Sequence, residues 1–313
     1  MFGRNFVKWA GVVLILVLMP QAMSAESFGG ATPQSGPTHD REFWRAIAHD
    51  EYAVPEGQAI VPLLGELSGY LGSKDPELRD DLAYTIIDQW VRHQKDIPTE
   101  ALNSLADEWR ANLRAGIGEV GTDSVFKRSF SALCLASLAK RDLKHPFLGE
   151  ERYRGLLTDA LAYLKDERDL RGFDPVLGWI HATAHTGDLL AALAANPLLR
   201  TEDQGRVLDG IAARLASAHE IFSYGEQDRL ALAVATIVER KDFDAPRFDR
   251  WLAALDASDQ SVWKDSPPKL ELLQNFENDT YMLRGLTVYL WASPANSGAT
   301  DARDAVMKDL QWR

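Results

Sequence analysis

The stretch Gly178-Trp179-Ile180-His181-Ala182-Thr183-Ala184-His185-Thr186-Gly187-Asp188 decides how this chain is read. It lies in a run from Val176 to Leu199 whose only formally charged residue is Asp188. A helix over 175–195 would be apolar on nearly every face, and such a helix is buried. Its few polar side chains must then find partners inside the protein, because an unpaired buried polar group is costly. His181, His185 and Asp188 fall on one stripe of that helix.

Outward from this run the same periodicity continues. From Arg41 onward apolar residues recur at helical spacing, and the breaks are short Pro, Gly, Asp or Ser clusters. The pattern predicts helices over 40–52, 58–72, 76–93, 98–115, 122–140, 148–166, 175–195, 201–220, 226–240, 245–256 and 277–292. It adds a short element near 268–275 and a weakly packed tail segment at 300–311. Pro76 suits the first position of its helix. No segment alternates long enough to predict a strand. Short connections make sequential helices antiparallel neighbours. The expected fold is therefore all-α: an array of antiparallel helical hairpins, HEAT- or armadillo-like, with a closed α/α toroid as the alternative. Residues 40–313 read as a single all-helical domain.

The start of the chain reads differently. Arg4 and Lys8 precede an apolar run from Trp9 to Met19, Pro20 ends it, and Ala22-Met23-Ser24-Ala25 offers small residues for cleavage. Residues 1–25 are thus expected to be a secretory signal peptide. The apolar run falls short of the ~20 residues of a bilayer span, so no stable membrane span is expected after cleavage. Residues 26–39 read as a flexible leader. The expected location is outside the cytoplasm, periplasmic or secreted. One cysteine, Cys134, cannot form an internal disulfide, and its apolar surroundings predict an inert thiol. The net charge of −12 becomes more negative once the two signal-peptide cations are lost, and acids and bases are interspersed. Nucleic acid is therefore excluded as a partner, since it rewards basic patches.

Spacing of i, i+4 lets two imidazoles share one metal ion, which makes His181 and His185 candidate zinc ligands. The Glu of a His-Glu-x-x-His protease motif is absent, because Ala182 follows His181. Asp188, one turn after His185, is placed to orient that ring by a hydrogen bond. A further ligand would have to come from elsewhere, with Glu226 and Asp228 as candidates, beside Glu167, Asp169 and the His219-Glu220 pair. Without a metal, a neutral His–Asp pair could serve as a general base or as a polar contact between packed helices. Arg128, at the edge of an apolar helix, could hold an anionic ligand or form an inter-helix ion pair. Most tryptophans sit at core spacing, but Trp179 adjoins His181 and could wall a pocket.

Taken together, Arg79-Asp-Asp-Leu-Ala-Tyr84, Arg128-Ser-Phe-Ser-Ala-Leu133, Asp169-Leu-Arg-Gly172, Gly178-Trp-Ile-His-Ala-Thr-Ala-His185 with Asp188, and Gly225-Glu-Gln-Asp-Arg229 resemble a bacterial family. It is catalogued as a domain of unknown function with serial number 2785. The resemblance covers about residues 60–290. It implies an all-helical, HEAT-like fold and carries over no catalytic residue. Two functions follow as expectations. The first is an exported helical-repeat protein that binds a protein or small-molecule ligand through a groove near His181, His185 and Asp188. The alternative is a hydrolase or lyase that uses His181 and His185 as metal ligands or general base.

Overall fold

Twelve α-helices carry the chain in the computed structural model, which describes residues 39–293 and 297–313. The expected signal peptide and nearly all of the leader lie outside the described residues. The helices are α1 (Arg41–His49), α2 (Ile60–Tyr70), α3 (Thr85–His93), α4 (Thr99–Asn112), α5 (Ser124–Asp142) and α6 (Gly149–Asp166), then α7 (Ala182–Ala194), α8 (Thr201–Ala216), α9 (Glu226–Val238), α10 (Ala245–Gln260), α11 (Leu270–Ala292) and α12 (Ser297–Leu310). A π-helical segment, Glu77–Tyr84, leads directly into α3. The fold is all-α.

Odd- and even-numbered helices separate into two rows. The segment before α3 and α3 itself pack on α5, α5 on α7, α7 on α9, and α9 on α11. A second row runs through α6, α8, α10 and α12, with α4 against α5 and α6 against α7. This order follows from short connections, which fold each helix back beside its predecessor. α7 lies between α5 and α9 with α6 behind it, and all 13 of its residues are buried. Its lack of charge is thereby explained. Tyr153 ties the rows together, its hydroxyl donating to the Leu193 carbonyl at 2.9 Å. Trp44, Trp90 and Trp109 are fully buried, and Trp90 and Trp109 donate their indole N–H groups to the Tyr52 carbonyl and to Ser68.

Three elements depart from the sequence reading, and the first shapes the site. The helix expected over 175–195 starts only at Ala182, because a two-stranded antiparallel hairpin precedes it: β1 (Phe173–Asp174) pairs with β2 (Gly178–Trp179). The Asp174 carboxylate caps its turn by accepting from the Val176 and Leu177 amides, both at 2.8 Å. Secondly, the elements expected at 268–275 and 277–292 are one helix, α11. Thirdly, the tail is well packed: Ala302 and Val306 of α12 are buried, and Arg313 pairs with Asp259 and Asp309.

Candidate functional site

His181 is the N-cap of α7, and its backbone is left-handed, with φ 54° and ψ 30°. That conformation costs a non-glycine residue of order 1–2 kcal/mol, so surrounding contacts must hold it. The backbone supplies some of them: Ile180 N donates to the Gly172 carbonyl at 2.9 Å and His181 N to Arg171 at 3.1 Å. The close approach at Gly172 requires glycine, since a Cβ there would sit 2.3 Å from the Tyr224 ring and 2.7 Å from Glu226 Oε1. Trp179 stacks on the His181 ring, centroids 4.7 Å apart. Arg79 pins the hairpin from the other side. Fully buried between Phe126 and Phe130, it donates to the carbonyls of Ser73, Leu177 and Trp179.

The ring protons of both histidines follow from their partners. His181 Nε2 lies 3.0 Å from the Tyr224 carbonyl, which can only accept, so Nε2 carries the proton and Nδ1 is a lone-pair acceptor. Ser129 gives its hydroxyl proton to the Ile180 carbonyl, so it accepts from His185 Nδ1 at 2.8 Å. His185 Nε2 is therefore a second acceptor. The rings meet edge to face at 5.5 Å. Burial lowers the pKa of His181 to about 4, with Arg229 adding to the shift and the Tyr224 bond opposing it. Burial pushes His185 well below the ordinary histidine value, helped by His181 and Arg229. Both rings are neutral at physiological pH.

Asp188 does not orient His185, contrary to the sequence expectation. Its carboxylate faces α9 and accepts from Arg229 NH1 at 2.9 and 3.2 Å, while the His185 ring turns to Ser129 on α5. Helices α7 and α9 are close here: a Cβ on Gly187 would come within 2.9 Å of the Arg229 backbone. Glu226 does join the histidines. It is buried, Oε1 lies 3.5 Å from His181 Nε2, and Oε2 accepts from Tyr224 N at 2.9 Å. Its pKa is raised by burial, against the backbone amides that bond it. Asp228 stands apart, lining a separate cavity of about 530 Å³ with Ser223, Tyr281 and Arg284. Arg128 is also elsewhere. It is fully buried and forms a two-point ion pair with Glu167 at 2.6 and 3.1 Å, with NH1 spent on Ala115, Gly116 and Ser124.

Over this polar cluster lies an aromatic rim. Phe173, Trp179 and Tyr224 are all exposed and in mutual contact, with centroids 5.0–6.3 Å apart. On the floor, solvent reaches α7 and its N-cap only in slivers, among them His181 at 7 %, His185 at 7 %, Asp188 at 9 % and Ala191 at 8 %. Arg229, Leu232 and Thr236 of α9 border that stripe on one side, and their side chains reach solvent. Sequence reasoning missed Phe173, Ser129, Arg79 and the carbonyl of Tyr224 as parts of this site. Arg229 could have been found from the charged cluster that opens α9.

Among the described residues no group of three or more His, Cys, Asp or Glu is placed to hold a metal ion. The two imidazoles fall short of the ligand set of a structural or catalytic zinc site. No described helix is long and apolar enough to cross a membrane.

Residues 113–288, from the end of α4 through most of α11, match the family described as protein of unknown function (DUF2785). The match spans more than half of the chain, so the chain belongs to that family. No curated protein and no solved structure matches it.

Proposed function

We propose that this is an exported, HEAT-like helical-array protein that binds a small polar ligand in the groove floored by α7 and rimmed by Phe173, Trp179 and Tyr224. One observation carries the reading. Along a helix whose residues are all buried, the remaining traces of solvent contact are largest at His185, Asp188 and Ala191, next to the N-cap His181. Here two neutral imidazoles keep one unused lone pair each beside three exposed aromatic rings. Concave sites of this kind fix a ligand with apolar walls and a few placed polar groups. The signal-peptide pattern read over residues 1–25, two cations before an apolar run that ends at small residues, supports a periplasmic or secreted location.

A thermal-shift screen of sugars, organic acids, amino acids and nucleosides, run on the wild type and on Trp179→Ala, tests the proposal. Compounds that raise the melting temperature of the wild type and not of the variant are expected. The reading fails if no compound does so, or if every active compound stabilises both proteins equally.

A hydrolase or lyase is the second reading, favoured by the buried Glu226 carboxyl at 3.5 Å from His181. In that case His181 and Glu226 would move a proton, or His181 and His185 would hold a metal such as zinc. Elemental analysis of protein purified without chelator, beside a His181→Ala/His185→Ala variant, separates the two. Near-stoichiometric metal lost in the variant supports the enzyme, and metal-free wild type that still binds ligand supports the groove.

A further inference from the structure

The cavity of about 530 Å³ that Asp228 lines lies between α11 and the loop leading into α9, and neither histidine nor Trp179 borders it. Its two walls are tied to each other. Asn278 of α11, wholly buried, accepts from Phe222 N at 3.0 Å and from Gln227 Nε2 at 3.2 Å, and donates to the Glu220 carbonyl at 2.8 Å. Gln227 also donates to the Phe222 carbonyl at 2.8 Å. The cavity is thus held open by the protein itself, and its volume is that of a small-molecule site.

Two charged side chains line it, Asp228 and Arg284, and their charges sum to zero. Neither is neutralised: no ion pair or hydrogen bond holds the Asp228 carboxylate or the Arg284 guanidinium among the described residues. Arg229, next to Asp228 along α9, is turned to Asp188 instead. The Arg284 guanidinium stands over the Tyr281 ring, 5.5 Å from its centroid. Glycine at 285 lets the Asp228 carboxylate lie against α11, since a Cβ there would come within 2.6 Å of Asp228 Oδ1. The negative charge therefore rests against the residue that follows Arg284 in the chain. Ile221, Tyr281 and Val288, all exposed, give the same cavity an apolar surface.

We propose that this cavity is a second binding site, for a free α-amino acid with an apolar side chain: its ammonium meets Asp228, its carboxylate meets Arg284, and its side chain lies against Ile221, Tyr281 and Val288. An α-amino acid carries both charges on one carbon, which suits opposite charges that issue from neighbouring points of one wall. Its rivals each leave a group unmatched. An amine without a carboxylate faces Arg284 with a like charge, and an acid without an ammonium does the same to Asp228; both juxtapositions are unfavourable. A neutral apolar molecule takes water from the two charges and gives nothing back. An amino acid with a polar side chain gains nothing from the three apolar residues.

Calorimetric titration of the purified protein with L-phenylalanine, phenethylamine and 3-phenylpropionate tests the assignment. L-Phenylalanine is expected to bind most tightly, with each of the others weaker by about fivefold or more, the worth of one charged contact at a partly open site. Asp228→Asn should remove the preference over 3-phenylpropionate, and Arg284→Gln the preference over phenethylamine. Both variants should keep the wild-type melting temperature, because neither side chain holds another residue. Trp179→Ala should bind L-phenylalanine as the wild type does. No binding of L-phenylalanine, equal binding of all three compounds, or binding indifferent to both charge substitutions overturns the assignment. Binding lost in Trp179→Ala and kept in Asp228→Asn and Arg284→Gln puts the ligand in the histidine groove; the second site then falls and the groove stands. If L-phenylalanine is the only active compound and stabilises wild type and Trp179→Ala equally, while the charge substitutions weaken it, the groove falls and the second site stands.

Discussion

Replacing Glu167 by Ala should be among the most damaging single changes outside the apolar core. Its carboxylate takes Arg128 Nε at 2.6 Å and NH2 at 3.1 Å, and its Oε1 also caps the Arg168 and Asp169 amides, both at 2.9 Å. Once it is gone, Arg128 keeps only the Ala115 and Gly116 carbonyls and the Ser124 hydroxyl around a guanidinium with no solvent contact. Stranding one member of a buried pair costs about 3–5 kcal/mol. For a chain of this size that is a fall of roughly 6–10 °C in melting temperature. Urea unfolding followed by circular dichroism measures the loss. Removing both charges, as Arg128→Met with Glu167→Leu, should recover much of it, because the penalty lies in the unpaired charge rather than in the missing attraction. A loss below about 1 kcal/mol for Glu167→Ala would refute the reasoning, since an exposed pair is worth no more than that. A double variant less stable than Glu167→Ala would refute it equally.

Acid should weaken the fold through the histidines. The folded protein resists protonation of His181 until about pH 4, whereas an unfolded chain takes the proton near 6.5, so acidification between those values favours unfolding. The contribution is about 3 kcal/mol from His181, with His185 acting in the same direction. Urea midpoints taken across that window should fall, and His181→Gln should flatten the slope; a midpoint independent of pH would contradict this. Gly187→Ala should cost about 1–3 kcal/mol by pushing α7 from the Arg229 backbone, seen in thermal unfolding, and a neutral result would mean the helices part easily. Trp179→Ala should lose about 1 kcal/mol, the worth of its ring contacts, yet abolish the wild-type response to ligand in the thermal-shift screen.

Much of the helix pattern was legible because it is local. The apolar spacing placed α5, α6 and α9 within a few residues of their observed ends. It split α11 at residue 276, although Phe276 is buried within one continuous helix. Asn278, further along α11, bonds Phe222 N, Gln227 and the Glu220 carbonyl and so holds the loop that presents Tyr224, contacts that no local pattern registers. The hairpin before α7 was hidden for a different reason. Its strands are two residues each, too short for alternation to register, and only the Asp174-Pro175 turn signalled it. His181 and His185 were visible as a pair, but Glu226 only as one candidate among Asp228, Glu167, Asp169 and the His219-Glu220 pair, because partners brought in from other helices are set by packing. The orientation of Asp188 was not visible, because α7 has candidate partners on both sides and only packing chooses α9 over the His185 ring.

Ligand binding at the floor of the groove depends on the protonation state of the two imidazoles. Nitrogen-detected NMR of histidine-labelled protein reports it directly. His181 should appear neutral with its proton on Nε2, His185 neutral with its proton on Nδ1, and both should stay so as the pH is lowered through the ordinary histidine range. Two rings of the same tautomer, or titration of either near pH 6.5, would mean that their lone pairs are not offered to the groove as described.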